Sequence, residues 1–164
     1  MTHLIATVFG VGLLKPAPGT WGSAAAIPAA WGLHAAFGFP GLAVATGVAF
    51  LAGWWATRAV TARIGRADPS EIVVDELVGM WLALWPLSFG LWQAGAAPGT
   101  FPWPGWVAGF LLFRLFDIWK PGPIGWADRM KTPLGVMLDD VIAGVAAAIG
   151  VAALAAIAHG GLRL

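Results

Sequence analysis

Three long stretches of this chain carry no charge at all. Pro16 to Thr57, Leu77 to Phe113 and Val141 to Leu162 contain no Asp, Glu, Lys or Arg. The eight carboxylates are gathered between them, as Asp68, Glu71, Asp75 and Glu76, then Asp117 and Asp128, then Asp139 and Asp140. A charge in hydrocarbon is costly, so a chain that crosses a bilayer clears its spans and collects ionisable groups at the boundary. An apolar fraction of 59% and a mean hydropathy of +0.80 fit that reading and lie outside ordinary soluble composition. A helix needs roughly 20 apolar residues to cross a core about 30 Å thick. The first stretch is long enough for two crossings, the second for two and the third for one.

The expected fold is all-α: a polytopic membrane helical bundle of about five spans, with residues 1–164 as a single domain. The spans are expected at Thr20 to Phe37, Leu42 to Arg58, Asp75 to Trp92, Pro104 to Trp119 and Asp139 to His159. The Gly38-Phe39-Pro40-Gly41 turn separates the first two. Thr2 to Leu14 is apolar but lacks the basic start of a secretory signal, and Lys15-Pro16 interrupts it, which makes it an interfacial or re-entrant segment. Alternating crossings put eight of the nine Lys and Arg on one side, with Arg163 in the tail on the other. The positive-inside rule makes the rich side cytoplasmic. Trp54, Trp55 and Trp119 there, and Trp92, Trp103 and Trp106 opposite, suit interfacial belts.

Every carboxylate falls in that cytoplasmic layer. Helices 1, 3 and 5 are expected to begin there, at Thr20, Asp75-Glu76 and Asp139-Asp140, with their positive dipole ends together. Capping alone accounts for either acidic pair taken singly. Four carboxylates in one layer repel one another unless cations sit among them. With no Cys, thiolate nucleophiles and thiolate metal sites are excluded. His34 and His159 fall toward the other side, and His3 stands in a short tail. The remaining hard oxygen donors select a hard cation, Mg²⁺ foremost.

Asp75 and Glu76 are adjacent and project about 100° apart on a helix, so one is expected to ligate directly and the other to support it. Gly79 and Gly144 lie about one turn from Glu76 and Asp140 and permit close helix approach. Arg114, Asp117 and Lys120 follow at three-residue intervals on one face; a salt bridge is their plain reading. Lys15 precedes Pro18-Gly19-Thr20, a helix entry whose free N–H groups can hold an anion, though Walker A spacing is missing. Carboxylates on Mg²⁺, flanked by Lys15, Arg114, Lys120 and Arg129, form a setting for a phosphoryl group. At a membrane boundary its natural carrier is a phospholipid of the cytoplasmic leaflet. A net charge of +1 without a basic stripe excludes nucleic acid as a partner.

Four blocks, taken in order, resemble the phosphatidylglycerophosphatase A family. They are Pro18-Gly19-Thr20-Trp21-Gly22-Ser23, Val74-Asp75-Glu76, Phe113-Arg114…Asp117…Lys120-Pro121…Pro123-Ile124, and Asp139-Asp140-Val141-Ile142-Ala143-Gly144. Gly122 stands where a bulkier residue is expected. The resemblance implies Mg²⁺-dependent removal of the terminal phosphate of phosphatidylglycerophosphate, giving phosphatidylglycerol, in a bacterial inner membrane. It implies metal and catalytic roles for Asp75, Glu76, Asp117, Asp139 and Asp140. Lys15, Thr20, Arg114, Lys120 and Arg129 are then expected to meet the substrate. The Gly/Ala-rich fifth helix suits a homo-oligomer. The competing readings are a divalent-cation transporter and a small membrane scaffold without activity. Transport predicts ionisable residues along a path through the bilayer, whereas these spans are clear apart from Arg114 near one end.

Overall fold

In the computed structural model, residues 1–160 are described, with side chains through Ala158. Arg163 and the side chain of His159 lie outside the described residues. The described residues form six helices, α1 (Thr2–Ala6), α2 (Pro18–Ile64), α3 (Val74–Gln93), α4 (Trp103–Trp119), α5 (Pro123–Asp128) and α6 (Pro133–Gly160), with one 3-10 turn over Val11–Leu13. There is no strand among the described residues.

The 47 residues of α2 do not form one rod. Gly38 has φ 65° and ψ −165°, a left-handed backbone open to glycine at low cost, and there the helix reverses. Contacts with α3 show the reversal. Trp81 Nε1 donates to the Ala26 carbonyl at 2.9 Å on the first arm, and Trp85 Nε1 to Thr46 Oγ1 at 3.2 Å on the second. Gly22 and Gly53 both pack on the start of α3, against Val73 and Val74. His34 Nδ1 and Ser88 Oγ meet at 2.8 Å toward the other end.

Three helices, α2, α3 and α6, are long and apolar enough to cross a bilayer. At 17 residues α4 is shorter, about 25 Å at 1.5 Å per residue. The core joins Leu42, Met80, Leu84, Phe113 and Met137, all fully buried. Outward faces carry large apolar side chains instead of charges, among them Val44, Leu51, Leu111, Ile118, Ile149 and Ile157. Such a surface suits lipid and would be a liability in water. Trp55, Trp92, Trp103 and Trp119 are exposed, but Trp106 is buried and cannot serve a belt. Trp54 is half-buried with the Arg58 guanidinium 5.5 Å above its ring.

The amino-terminal segment packs back on the chain between α2 and α3. The Val73 N–H donates to the Ala6 carbonyl at 2.9 Å, and Gly12 lies so close to the Glu71 carbonyl that a Cβ would come within 2.0 Å of it.

The acidic start expected for the last helix is corrected. Thr132 opens α6: its hydroxyl accepts the Gly135 N–H at 3.1 Å, ahead of a proline suited to a first turn. Asp139 and Asp140 therefore lie well inside α6. On α3, Asp75 and Glu76 lie in the first turn, but no side chain caps the helix. Thr20 is inside the first turn of α2, which likewise has no side-chain cap.

Candidate active site

The site is built by a close crossing of α3 and α6. A Cβ on Gly144 would come within 2.3 Å of the Gly79 carbonyl oxygen, and one on Gly79 within 2.5 Å of the Asp140 carbonyl oxygen. Only glycine allows the two backbones to touch there. One turn away, carboxylate oxygens of Asp75, Glu76 and Asp140 all lie within 4.8 Å of one another. Asp75 and Glu76 both contribute to this group although they project apart on the helix. Local geometry helps: the Glu76 N–H donates to Asp75 Oδ1 at 3.0 Å and the Asp140 N–H to Asp139 Oδ1 at 3.0 Å. Gly19 brings the start of α2 against this cluster, where a Cβ would meet Glu76 Oε1 at 2.3 Å and an Arg114 terminal nitrogen at 3.3 Å.

A hollow of about 340 Å³ opens over the cluster, lined by residues from the start of α2, the α2–α3 loop and α3 to α6. Seven carboxylates and three cations (Arg114, Lys120 and Lys131) line it, a formal charge of −4. All three cations are already paired, Lys131 with Asp128 at 3.4 Å. Arg114 pairs with Asp117 on α4, both largely buried. Lys120 leaves the helical face expected for it: as the residue that ends α4 it has φ 49° and ψ 51°. Its ammonium donates to Asp128 and Asp139, each at 2.6 Å, rather than to Asp117. Burial works against charge on Lys120, but hydrogen bonds to Asp128 and then Asp139 outweigh it and raise its pKa. The Lys120 hydrogen bond, opposed by some burial, holds Asp128 below the usual carboxylate range.

Among the described residues, four buried side-chain polar atoms lack a hydrogen-bond partner, and two of them belong to residues of this hollow. They are Glu76 Oε2, an acceptor, and Arg114 Nε, a donor. A buried polar group without a partner costs about 1–3 kcal/mol, so each needs an account. The acceptor belongs to the acidic cluster and the donor to Arg114, whose terminal nitrogen approaches the same Gly19 as Glu76 does, an arrangement open to a cation and an anion together.

All five carboxylates singled out from sequence line the hollow, as do Arg114 and Lys120. Lys15, Thr20 and Arg129 do not line it; Lys15 and Arg129 are exposed. Asp128 stands outside the residues expected from sequence, because the family resemblance places it less securely than the five other acids. The signal available was Pro123, a helix-opening proline five residues earlier.

An apolar helical bundle that gathers acids and fixed cations in one polar hollow has the make-up of a membrane-associated phosphatase. The phosphatidylglycerophosphatase A profile matches residues 4–155. The chain is 39% identical to the phosphatidylglycerophosphatase A of Haemophilus influenzae over 153 residues, 93% of this chain and 87% of that one. It is 38% identical to that of Escherichia coli over 148 residues, covering 89% and 78%. A Bacteroides thetaiotaomicron protein provisionally named phosphatidylinositol-3-phosphatase is 38% identical over 147 residues, covering 87% and 86%. No solved structure matches the chain. The chain belongs to the phosphatidylglycerophosphatase A family and is an enzyme, a phosphatase.

Proposed function

We propose that this enzyme hydrolyses the terminal phosphomonoester of phosphatidylglycerophosphate to phosphatidylglycerol, with Mg²⁺ held by Asp75, Glu76 and Asp140. The observation that carries the reading is a pair of orphans on residues that line the hollow: a buried Glu76 oxygen lacking a donor and a buried Arg114 N–H lacking an acceptor. The donor set fits the ion. Three hard carboxylate oxygens lie within 4.8 Å of one another, without a thiolate or imidazole, as Mg²⁺ prefers. Seven carboxylates against three cations would also repel a phosphate dianion unless divalent charge offsets them. Bound there, Mg²⁺ would supply Lewis-acid charge to the phosphoryl oxygens and lower the pKa of water.

The chain's own groups do the rest. Arg114, steadied by Asp117, presents its free Nε–H to a phosphoryl oxygen, and Lys120 offsets charge that grows in the transition state. Asp139 is engaged by Lys120, so it acts on the phosphate through that lysine. Water attacks phosphorus in line with the ester oxygen and the P–O bond to the glycerol headgroup breaks. The two protons of the water end on the released lipid hydroxyl and on inorganic phosphate. No D-x-D-x-T/V signature favours an aspartyl-phosphate route.

Five crossings follow from this reading: two from the arms of α2 and one each from α3, α4 and α6. The cationic end that bears the hollow faces the cytoplasm of a bacterial inner membrane, with the lipid reached from that leaflet. The small residues of α6 offer a surface for a second copy. Transport finds no support, because the carboxylates and Lys/Arg of the described residues gather at one end instead of along a path. The test is phosphate release by the detergent-purified chain from phosphatidylglycerophosphate, phosphatidic acid and a phosphoinositide, with and without Mg²⁺. Mg²⁺-dependent release from the first, well above the others, is expected; no release from any would end the reading.

A further inference from the structure

The turn after α4 is built with unusual care around one ammonium group. Lys120 steps out of the helix in a left-handed conformation, and the chain reverses through Pro121, Gly122 and Pro123 into α5. That short helix is clamped on both flanks. A Cβ on Gly125 would lie 2.7 Å from the Lys120 carbonyl oxygen, and one on Gly135 2.8 Å from the Ala127 carbonyl oxygen. The clamp delivers Asp128, the last residue of α5, to within 2.6 Å of the Lys120 ammonium, which Asp139 meets at 2.6 Å from α6. The second Asp128 oxygen takes Lys131 at 3.4 Å. An ammonium has three N–H donors. Two are held by carboxylates from separate helices, and the third has no protein partner among the described residues.

We propose that Asp128 is a positioning residue for the reaction: with Asp139 it fixes Lys120 so that the third N–H donates to a phosphoryl oxygen of the substrate. This rests on the phosphatase reading above and adds to it a division of labour among the acids. Asp75, Glu76 and Asp140 serve the cation, whereas Asp128 and Asp139 serve the lysine. A lysine has four rotatable bonds and is poorly ordered by itself. Two anchors from separate helices remove that freedom before the substrate arrives, which is how preorganised charge acts in catalysis.

The experiment is a double-mutant cycle with phosphatidylglycerophosphate as substrate. Asp128→Asn should lower kcat by on the order of tenfold to a hundredfold, with a smaller change in KM, and should leave the midpoint of Mg²⁺ activation where it is. Asp128→Glu should recover part of the loss. In a Lys120→Met background, Asp128→Asn should cost no more than a further factor of about two, because there is nothing left to position. Equal losses in both backgrounds would overturn the proposal. So would a shift in the Mg²⁺ midpoint as large as that caused by Asp140→Asn. Helical content and thermal midpoint, followed in parallel, identify any loss due to unfolding; an Asp128→Asn protein that is folded and fully active also refutes it. Failure of the wild-type chain to release phosphate from this lipid would strike the phosphatase reading instead.

Discussion

Gly144→Ala tests whether helix contact sets the geometry of the acidic cluster. The new methyl would lie 2.3 Å from the Gly79 carbonyl oxygen, against the 3.4 Å at which ordinary contact begins. The obstacle is backbone, which cannot rotate aside, so α3 and α6 must part by about 1.1 Å at the crossing. Overpacking of this kind costs about 1–3 kcal/mol, which a bundle with an intact core should survive. The consequence for the site is larger. Two oxygens on one Mg²⁺ stand at most about 4.2 Å apart, twice the metal–oxygen distance. Asp75 and Glu76 ride on α3 and Asp140 on α6, so a further ~1.1 Å widens the gap between the two sides and weakens their hold on a shared ion. A misplacement of about 1 Å can cost around a hundredfold in rate. Phosphate release from phosphatidylglycerophosphate across a Mg²⁺ titration should show that loss in kcat/KM and a higher Mg²⁺ midpoint, with the helical signal retained. Gly47→Ala is the control, since nothing lies within 4 Å of its Cβ position. A Gly144→Ala enzyme with wild-type turnover and midpoint would refute the argument.

Other outcomes follow from the same geometry. Asp140→Asn should abolish Mg²⁺-dependent phosphate release in purified protein while circular dichroism stays helical. Thr20→Ala should change turnover by no more than about twofold, because Thr20 neither caps α2 nor lines the hollow and such substitutions cost under about 0.5 kcal/mol. The Asp128–Lys120 pair gives a signed pH dependence. Asp128 has a pKa below its ordinary 3.8 in the fold, so its contribution is present above that value and disappears as pH falls through the lower folded value. Lys120 is raised above 10.5, so its contribution holds below that value and is lost only as pH rises through the higher folded one. Thermal midpoints of wild type and Asp128→Asn should therefore differ by a constant amount near neutrality and converge at strongly acid pH.

Much of the helical layout was legible because charge marks a bilayer boundary. The third helix, expected from Asp75 to Trp92, is Val74–Gln93, and the fourth, expected from Pro104, is Trp103–Trp119. The same rule misplaced the last helix. By that rule Asp139 and Asp140 mark its edge, whereas Thr132-Pro133 opens it two turns earlier and the acids lie within it. A capping threonine before a first-turn proline is a local signal, outweighed in the reading by the more visible acidic pair. Convergence was partly legible. Gly79 and Gly144 pointed to a close approach, but periodicity says nothing of how far a carboxylate reaches, and adjacent Asp75 and Glu76 come within 4.8 Å of each other and of Asp140 despite their angular separation. The partner of Lys120 was hidden for a plainer reason. A left-handed residue at a helix end turns its side chain away from the face that three-residue spacing assigns, and nothing in a lysine forecasts that conformation.

Manganese, a spin-active stand-in that accepts the same oxygen donors, can be titrated into the purified chain without lipid and followed by electron paramagnetic resonance. The account predicts saturable binding to wild type that is lost in Asp140→Asn and weakened in Gly144→Ala, while Asp128→Asn binds as wild type does. Equal binding by wild type and Asp140→Asn would contradict it.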